Sequence, residues 1–401
     1  MFKIVRRIFE LCVIFLCVVG LVSCGDTAAS ENEVKVGFIY IGVPGDEGFT
    51  YAHDQGRIEA EAMLKEENIT MTSAVIESIA DTDADATTSA IDRLITQGCE
   101  VIFTTSFGYM DPTLEAAAAN PDVKFMHCSG YKTSENMSNY FGKIYQERYL
   151  CGIVAGMKFN EMLADGTLSK EQCKVGYEGA FPIAEVVRGI DAFTLGLHSV
   201  CSFATVEVKY TSTWYDPTTE YSVAKSLIND GCHILMQHQD TTKPQVAAEE
   251  AYSATGDVFS IGYHSDMAFR APNSNLCSAV WNFGDYYAKE IKAVYDNTWT
   301  SESYWGGIED GVVDLVFNED NKNLPAGVVE AVAAAKQEII DGKVIFSGKI
   351  ELESNKDSEG ALIDGVTEEN GSYFYDCGTG LTDSYLSSTI AWYVKGVSIK
   401  A

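Results

Sequence analysis

Apolar and polar positions along this chain switch repeatedly between two patterns. Val34–Ile41 is a short apolar run, as a strand buried on both faces requires, and Met71–Ile79, Val101–Thr105, Val123–Cys128 and Ser138–Tyr145 read as further strands. Between them, Thr50–Glu66, Asp83–Gln97 and Pro112–Ala119 repeat their apolar positions every 3–4 residues, the period of an amphipathic helix. The alternation then recurs. Strands are predicted at Lys174–Glu178, Thr205–Tyr210, His233–Met236 and Val258–Gly262. Helices are predicted at Glu147–Asn160, Ile183–His198, Pro217–Asn229 and Lys243–Tyr252. Further strands are expected at Leu276–Asn282, Gly311–Phe317 and Lys343–Ile350, with helices at Tyr286–Asn297 and Ala326–Asp341. Strand–helix alternation of this kind predicts parallel sheets flanked by helices, and its repetition predicts two lobes of an α/β protein. Gly348–Gly378 is rich in Gly, Ser and Asp and is expected to loop over the surface.

The first residues follow a different rule. A basic start (Met1–Arg7), an apolar stretch (Ile8–Val19) and small residues before Cys24 have the order of a secretory signal, assigned to residues 1–23. The apolar stretch falls short of the roughly 20 residues a membrane span needs, and Glu10 interrupts it. Leu21-Val22-Ser23-Cys24 resembles a bacterial lipobox, in which the cysteine thiol is acylated and becomes the new N-terminus. The alternative is an ordinary signal with a chance cysteine. Residues 24–33 then form a lipidated tether, and the body faces the extracytoplasmic side of the cell membrane, touching it through lipid only. The expected division is 34–146 plus 264–302 for the N-terminal lobe and 147–263 plus 303–350 for the C-terminal lobe. Residues 351–401 are an extension packed on the lobes.

Composition narrows the partners. With 58 acidic against 28 basic residues and a net charge of −30, the body repels nucleic acid and anionic head groups. The eight cysteines after Cys24 are widely spaced, with no CxxC and no zinc pattern, so no metal is expected; several border strand-like runs as small buried hydrophobes. Enzyme signatures such as GxSxG and HExxH are missing, and no cofactor is expected. Asp81-Thr-Asp83-Ala-Asp85 faintly resembles an acidic calcium cluster, but capping of a helix by Asp83 or Asp85 explains it more simply.

Candidate chemistry gathers where strands end, the place where α/β sheets bind ligands. Gly42-Val-Pro-Gly45-Asp46-Glu47-Gly48-Phe49-Thr50-Tyr51 follows the first strand and offers Asp46, Phe49 and Tyr51 to a polar heterocycle, although a plain turn accounts for it too. Thr104–Asp111 supplies Ser106, Phe107 and Asp111 in the same way. Thr213-Trp214-Tyr215-Asp216-Pro217 offers Trp214 or Tyr215 for stacking, while Asp216 and Pro217 also fit a helix start. Gln237-His238-Gln239-Asp240 and Tyr263-His264-Ser265-Asp266 end two later strands and add Asp240, His264 and Asp266. The recurrence of polar and aromatic groups at successive strand ends is more informative than any one segment.

These segments, with Glu147–Gly156, Phe181–Asp191 and Ala391–Val397, resemble the basic membrane protein family of lipoproteins, the substrate-binding components of ABC transporters. The resemblance covers nearly the whole mature chain. It implies a two-lobed type I periplasmic-binding-protein fold, ligand in the interlobe cleft, no catalysis, and an ABC permease and ATPase as partners. In the family's purine nucleoside receptors, aromatics of both lobes sandwich the purine and aspartates matching Asp46 and Asp111 read its edge. Ribose is held there by an Asp of a Gly-x-Asp-x-Asp segment and a Lys at the end of the next strand. Here Gly262–Asp266 has His264 at that first Asp, and Ser278-Ala279-Val280-Trp281-Asn282 has Trp281 in place of the Lys. The resemblance therefore implies a purine base, adenine-like, before a nucleoside, with Asn282 or Asp266 as the groups that could still hold a ribose. A ligand sensor for a membrane kinase and a purine-salvage hydrolase are the alternatives from other classes.

Overall fold

The computed structural model describes residues 32–318 and 321–400. The signal segment, Cys24 and all but the end of the tether lie outside the described residues.

The first sheet is entirely parallel. It runs β11(Ser303–Gly306)–β5(Met137–Gly142)–β4(Lys124–Cys128)–β3(Val101–Thr104)–β1(Glu33–Ile39)–β2(Thr70–Ile76). Helices α1(Phe49–Glu66), α2(Ala84–Thr96), α3(Met110–Ala119) and α8(Gly284–Tyr295) flank it. The second sheet runs β12(Val313–Phe317)–β10(Asn275–Trp281)–β9(Phe259–His264)–β8(Ile234–His238)–β6(Lys174–Gly179)–β7(Thr205–Tyr210)–β16(Val397–Lys400). Only β12 is antiparallel to its neighbour. Its helices are α4(Tyr145–Ala164), α5(Ala184–Val200), α6(Pro217–Asn229), α7(Lys243–Thr255) and α9(Val328–Ile340). Strands β3, β8 and β10 are central and buried on both faces, whereas Met71–Ile79 forms β2, a largely half-exposed strand at the edge of the first sheet.

Helices α4 and α5 approach unusually closely. A Cβ on Gly196 would lie 1.9 Å from the Tyr149 carbonyl, and one on Gly152 would lie 2.0 Å from that of Phe193. Only glycine permits this contact, which fixes the second half of α5 against α4.

Two expectations about organisation need correction. Strand β10 pairs with β9, so residues 264–281 belong to the second sheet and not to the N-terminal lobe. Strand β11 pairs with β5, so 303–306 belong to the first sheet, and this strand was missed. The reason is that the chain crosses between lobes after β5, after β10 and after β11, and neither periodicity nor loop composition marks a crossing. The tail also holds more than loops. β13(Lys349–Leu352), β14(Val366–Glu369) and β15(Ser372–Asp376) form a small antiparallel sheet, and α10(Asp383–Ser388) precedes the buried Trp392. The Lys343–Ile350 strand shrinks to β13 within that sheet. Among the described residues, no helix is long and apolar enough to cross a membrane.

Candidate functional site

The carboxyl ends of the central strands of both sheets face one cleft, which encloses about 380 Å³ when its solvent-open mouth is included. The first lobe lines it with Phe49, Ser106, Phe107, Ser129 and Phe141. The second lines it with Glu185, Trp214, His238, Asp240, Tyr263 and His264. Phe49 begins α1 and Phe107 follows β3, so both aromatic faces come from loops the sheet holds rigidly. Trp214 follows β7 and packs edge-on against Phe181, 5.4 Å between ring centres.

The charges are ordered by what stands behind them. Glu185 lies in the first turn of α5, where the helix dipole favours an anion. Burial pushes its carboxyl up, but the hydrogen bond from His238 (3.2 Å) and the guanidinium groups of Arg188 and Arg148 outweigh it. The net result holds Glu185 below the usual carboxylate range, so it is an ionised acceptor in the cleft. Arg148 lies 3.6 Å above the Tyr263 ring and donates to the Gln237 carbonyl at 2.8 Å. Asp240 is shifted the other way, by burial and then by Glu220, Asp46, Glu185 and Asp81. His238 is pushed down to about 4 by burial and the Arg148 charge, so its ring is neutral near pH 7. Among the described residues, no group of acids, histidines and cysteines is arranged to hold a metal ion.

The lobes also touch at the cleft rim. Arg270 Nε lies 2.5 Å from Glu47 Oε2, and the Ser265 hydroxyl donates to the Glu47 carbonyl. A Cβ on Gly48 would sit 2.0 Å from the Asp240 carbonyl oxygen, so backbone meets backbone across the cleft.

Of the candidate residues, Phe49, Ser106, Phe107, Trp214, Asp240 and His264 line the cleft. Tyr215 is at its rim, its ring 3.7 Å from where a Cβ on Gly42 would lie. The others are engaged elsewhere. Asp46 is buried and accepts hydrogen bonds from the Gly48, Thr50 and Tyr51 amides, which ties it to the start of α1, and it is not in the cleft lining. Tyr51 enters that network through its amide, and its half-buried side chain is not in the lining. Asp111 is 66% exposed and paired with Lys132. Asp266 caps the turn at Ala268, and Asn282 donates to the Gly311 carbonyl on the surface. Trp281 stands one layer behind the lining, stacked on Phe283, with its indole N–H on His264 Nδ1 at 3.0 Å. Ser129, Phe141, Glu185, His238 and Tyr263 were not chosen from the sequence. His238 and Tyr263 sit in strand-end segments already singled out, so the strand-end rule could have found them; Glu185 reads simply as a dipole-favoured first-turn acid.

Two lobes of helix-flanked parallel sheet, closed on a cleft of aromatic and carboxylate groups, define a type I solute-binding protein. The fold agrees with an ABC transporter solute-binding protein of Aeropyrum pernix, at TM-score 0.66 and 18% identity, covering 78% of this chain and 93% of that one. A family model described as ABC transporter substrate-binding protein, PnrA-like, matches residues 33–349. A purine-binding protein of Brucella abortus is 38% identical over 83% of this chain and 89% of its own length. A putative ABC transporter glucose-binding protein of Haloferax volcanii is 34% identical over 79% of this chain and 74% of its own. The chain belongs to the PnrA-like, or basic membrane protein, family of ABC transporter substrate-binding proteins. It is a binding protein and not an enzyme, and its class works with a small-molecule ligand, a permease and an ATPase.

Proposed function

We propose that this protein captures a purine, a free base before a nucleoside, and delivers it to its permease. The observation that carries the reading is the cleft itself: flat aromatic faces from both lobes beside the ionised carboxylate of Glu185, an acceptor for ring or amino N–H groups. The purine-binding relative at 38% identity supports it. The residues proposed to carry binding are Phe49, Phe107 and Trp214 as stacking faces, with Glu185, Asp240 and His264 as polar partners. Preference for the base over the nucleoside rests on His264 and Trp281, which replace the family's ribose-holding Asp and Lys. We also propose that Cys24 carries the lipid that tethers the protein at the outer membrane face.

The glucose-binding relative motivates a sugar as the second reading. Titration calorimetry with adenine, guanine, hypoxanthine, their nucleosides and glucose distinguishes the two. Binding of a base at least tenfold tighter than its nucleoside, with no heat from glucose, is expected. Glucose binding without purine binding overturns the reading, and a nucleoside bound as tightly as its base overturns the base preference.

A further inference from the structure

The two residues that set this chain apart from nucleoside receptors, His264 and Trp281, touch each other. The Trp281 indole N–H, which can only donate, lies 3.0 Å from His264 Nδ1. That bond requires an unprotonated Nδ1, so a neutral His264 carries its proton on Nε2. The ring is held neutral by burial, with the Arg148 charge acting in the same direction. Trp281 cannot easily move away. Its ring is 5% exposed, stacked on Phe283 with centres 5.3 Å apart and packed on Phe141 at 4.8 Å. His264 is equally constrained. It adopts φ 75°, a left-handed backbone uncommon outside glycine, and its ring stacks on Tyr263 at 3.5 Å.

Nε2 is what this arrangement leaves over. It is buried in the cleft wall and makes no well-aligned hydrogen bond: Asp240 Oδ1 lies 3.3 Å away, and the Gln239 backbone also faces the ring. A buried donor without a well-aligned partner is costly, and a ligand acceptor would remove that cost. Beside it, Asp240 offers a carboxyl oxygen. Donor and acceptor stand side by side on one wall of the cleft.

We propose that Trp281 is a positioning residue that locks His264 as the Nε2–H tautomer, so that His264 and Asp240 read a ligand edge bearing an acceptor next to an N–H. This deepens the purine reading and rests on it for the ligand's identity, since purine bases carry such edges of ring nitrogen and adjacent N–H. It also makes the two departures from the nucleoside receptors a single device, in which the tryptophan acts through the histidine and does not touch the ligand.

The test combines ¹⁵N NMR of the histidine rings with calorimetry of Trp281→Phe, which keeps a ring in the same space and removes the N–H. In the wild-type protein without ligand, His264 should appear as pure Nε2–H tautomer. In Trp281→Phe it should become a tautomer mixture, and adenine affinity should fall about tenfold, or 1.4 kcal/mol. Of 1-, 3- and 7-deazaadenine, the analogue lacking the acceptor read by His264 should lose at least tenfold against the wild type and much less against the variant. An Nδ1–H tautomer in the wild type overturns the proposal, and so does unchanged affinity in a variant whose tautomer has shifted. The wild-type spectrum needs neither ligand nor variant. It therefore decides the positioning claim even if Trp281→Phe fails to fold or the purine reading fails.

Discussion

Replacing Gly48 with alanine tests whether the cleft works by closing. The new Cβ would lie 2.0 Å from the Asp240 carbonyl oxygen, whereas a close carbon–oxygen contact is about 3.3–3.6 Å, so the lobes must separate by about 1.3 Å at this point. The neighbouring Ser265–Glu47 hydrogen bond and Arg270–Glu47 ion pair stretch with it. The hydrogen bond contributes about 1 kcal/mol, and the ion pair adds at most about 1 because Arg270 is half exposed. The closed form thus loses about 1–2 kcal/mol, and ligand that binds only the closed form should weaken about 5- to 30-fold. Gly45→Ala is the control, since its Cβ would meet only Val43, at 3.9 Å. Calorimetry measures the affinity, and small-angle scattering of the empty protein measures the opening. The reasoning is refuted if Gly48→Ala binds within twofold of the wild type, or if Gly45→Ala weakens binding equally.

Phe107→Ala should cost at least tenfold in purine affinity and leave the melting temperature of the empty protein within a degree or two, because Phe107 is 41% exposed and packs no core; Trp214→Ala should cost affinity likewise, with some loss of melting temperature because Trp214 packs against the core, and full affinity in both would remove the stacking claim. Glu147, at the first crossing between lobes, is buried with both oxygens unpartnered, and burial raises its carboxyl from 4.5 to about 8. The folded protein keeps this proton after the unfolded chain has lost it, so stability falls as pH rises from 4.5 to about 8, by up to about 1.4 kcal/mol per pH unit. Glu147→Gln should flatten that fall, and melting curves from pH 5 to 8 with the wild-type slope would contradict it. Mass spectrometry of the native protein should find a diacylglyceryl group on Cys24 and no peptide from residues 1–23; an unmodified start elsewhere removes the anchor.

What could be read from the chain followed from how directly each feature is encoded. Buried parallel strands need unbroken apolar runs, so β1, β3, β8 and β10 were visible from residue types alone. Helix starts were visible where a side chain does the capping: Asp83 accepts from the Ala86 amide and Asp216 from those of Thr218 and Thr219. The same chemistry misled at Asp46, because a loop aspartate suits a helix cap as well as a ligand and only coordinates tell which amides face it. Glu185 was hidden for the converse reason: its neighbours Arg148, Arg188 and His238 come from three separate elements. The lobe crossings depend on which sheet offers a free strand position, a property of the assembled fold. The small antiparallel sheet escaped because its strands are short and half exposed, set among residues rich in Gly, Ser and Asp; the aromatic run Tyr373-Phe374-Tyr375 of β15 was the one signal there.

The last residues of the chain have a consequence for how molecules of this protein meet one another. Val397–Lys400 lies alongside Thr205–Tyr210 and occupies the backbone groups that strand would otherwise turn to solvent. An unpaired strand of this kind is a template on which a second chain can add. A version of the protein ending at residue 349, where the family match stops, bares the amides and carbonyls around the buried Val206 and Val208 and invites edge-to-edge growth into fibres. With the tail in place, the outermost strand instead ends on the exposed Lys400, a charge that disfavours a copy approaching edge to edge. The tail thus covers an edge at which two copies could otherwise pair.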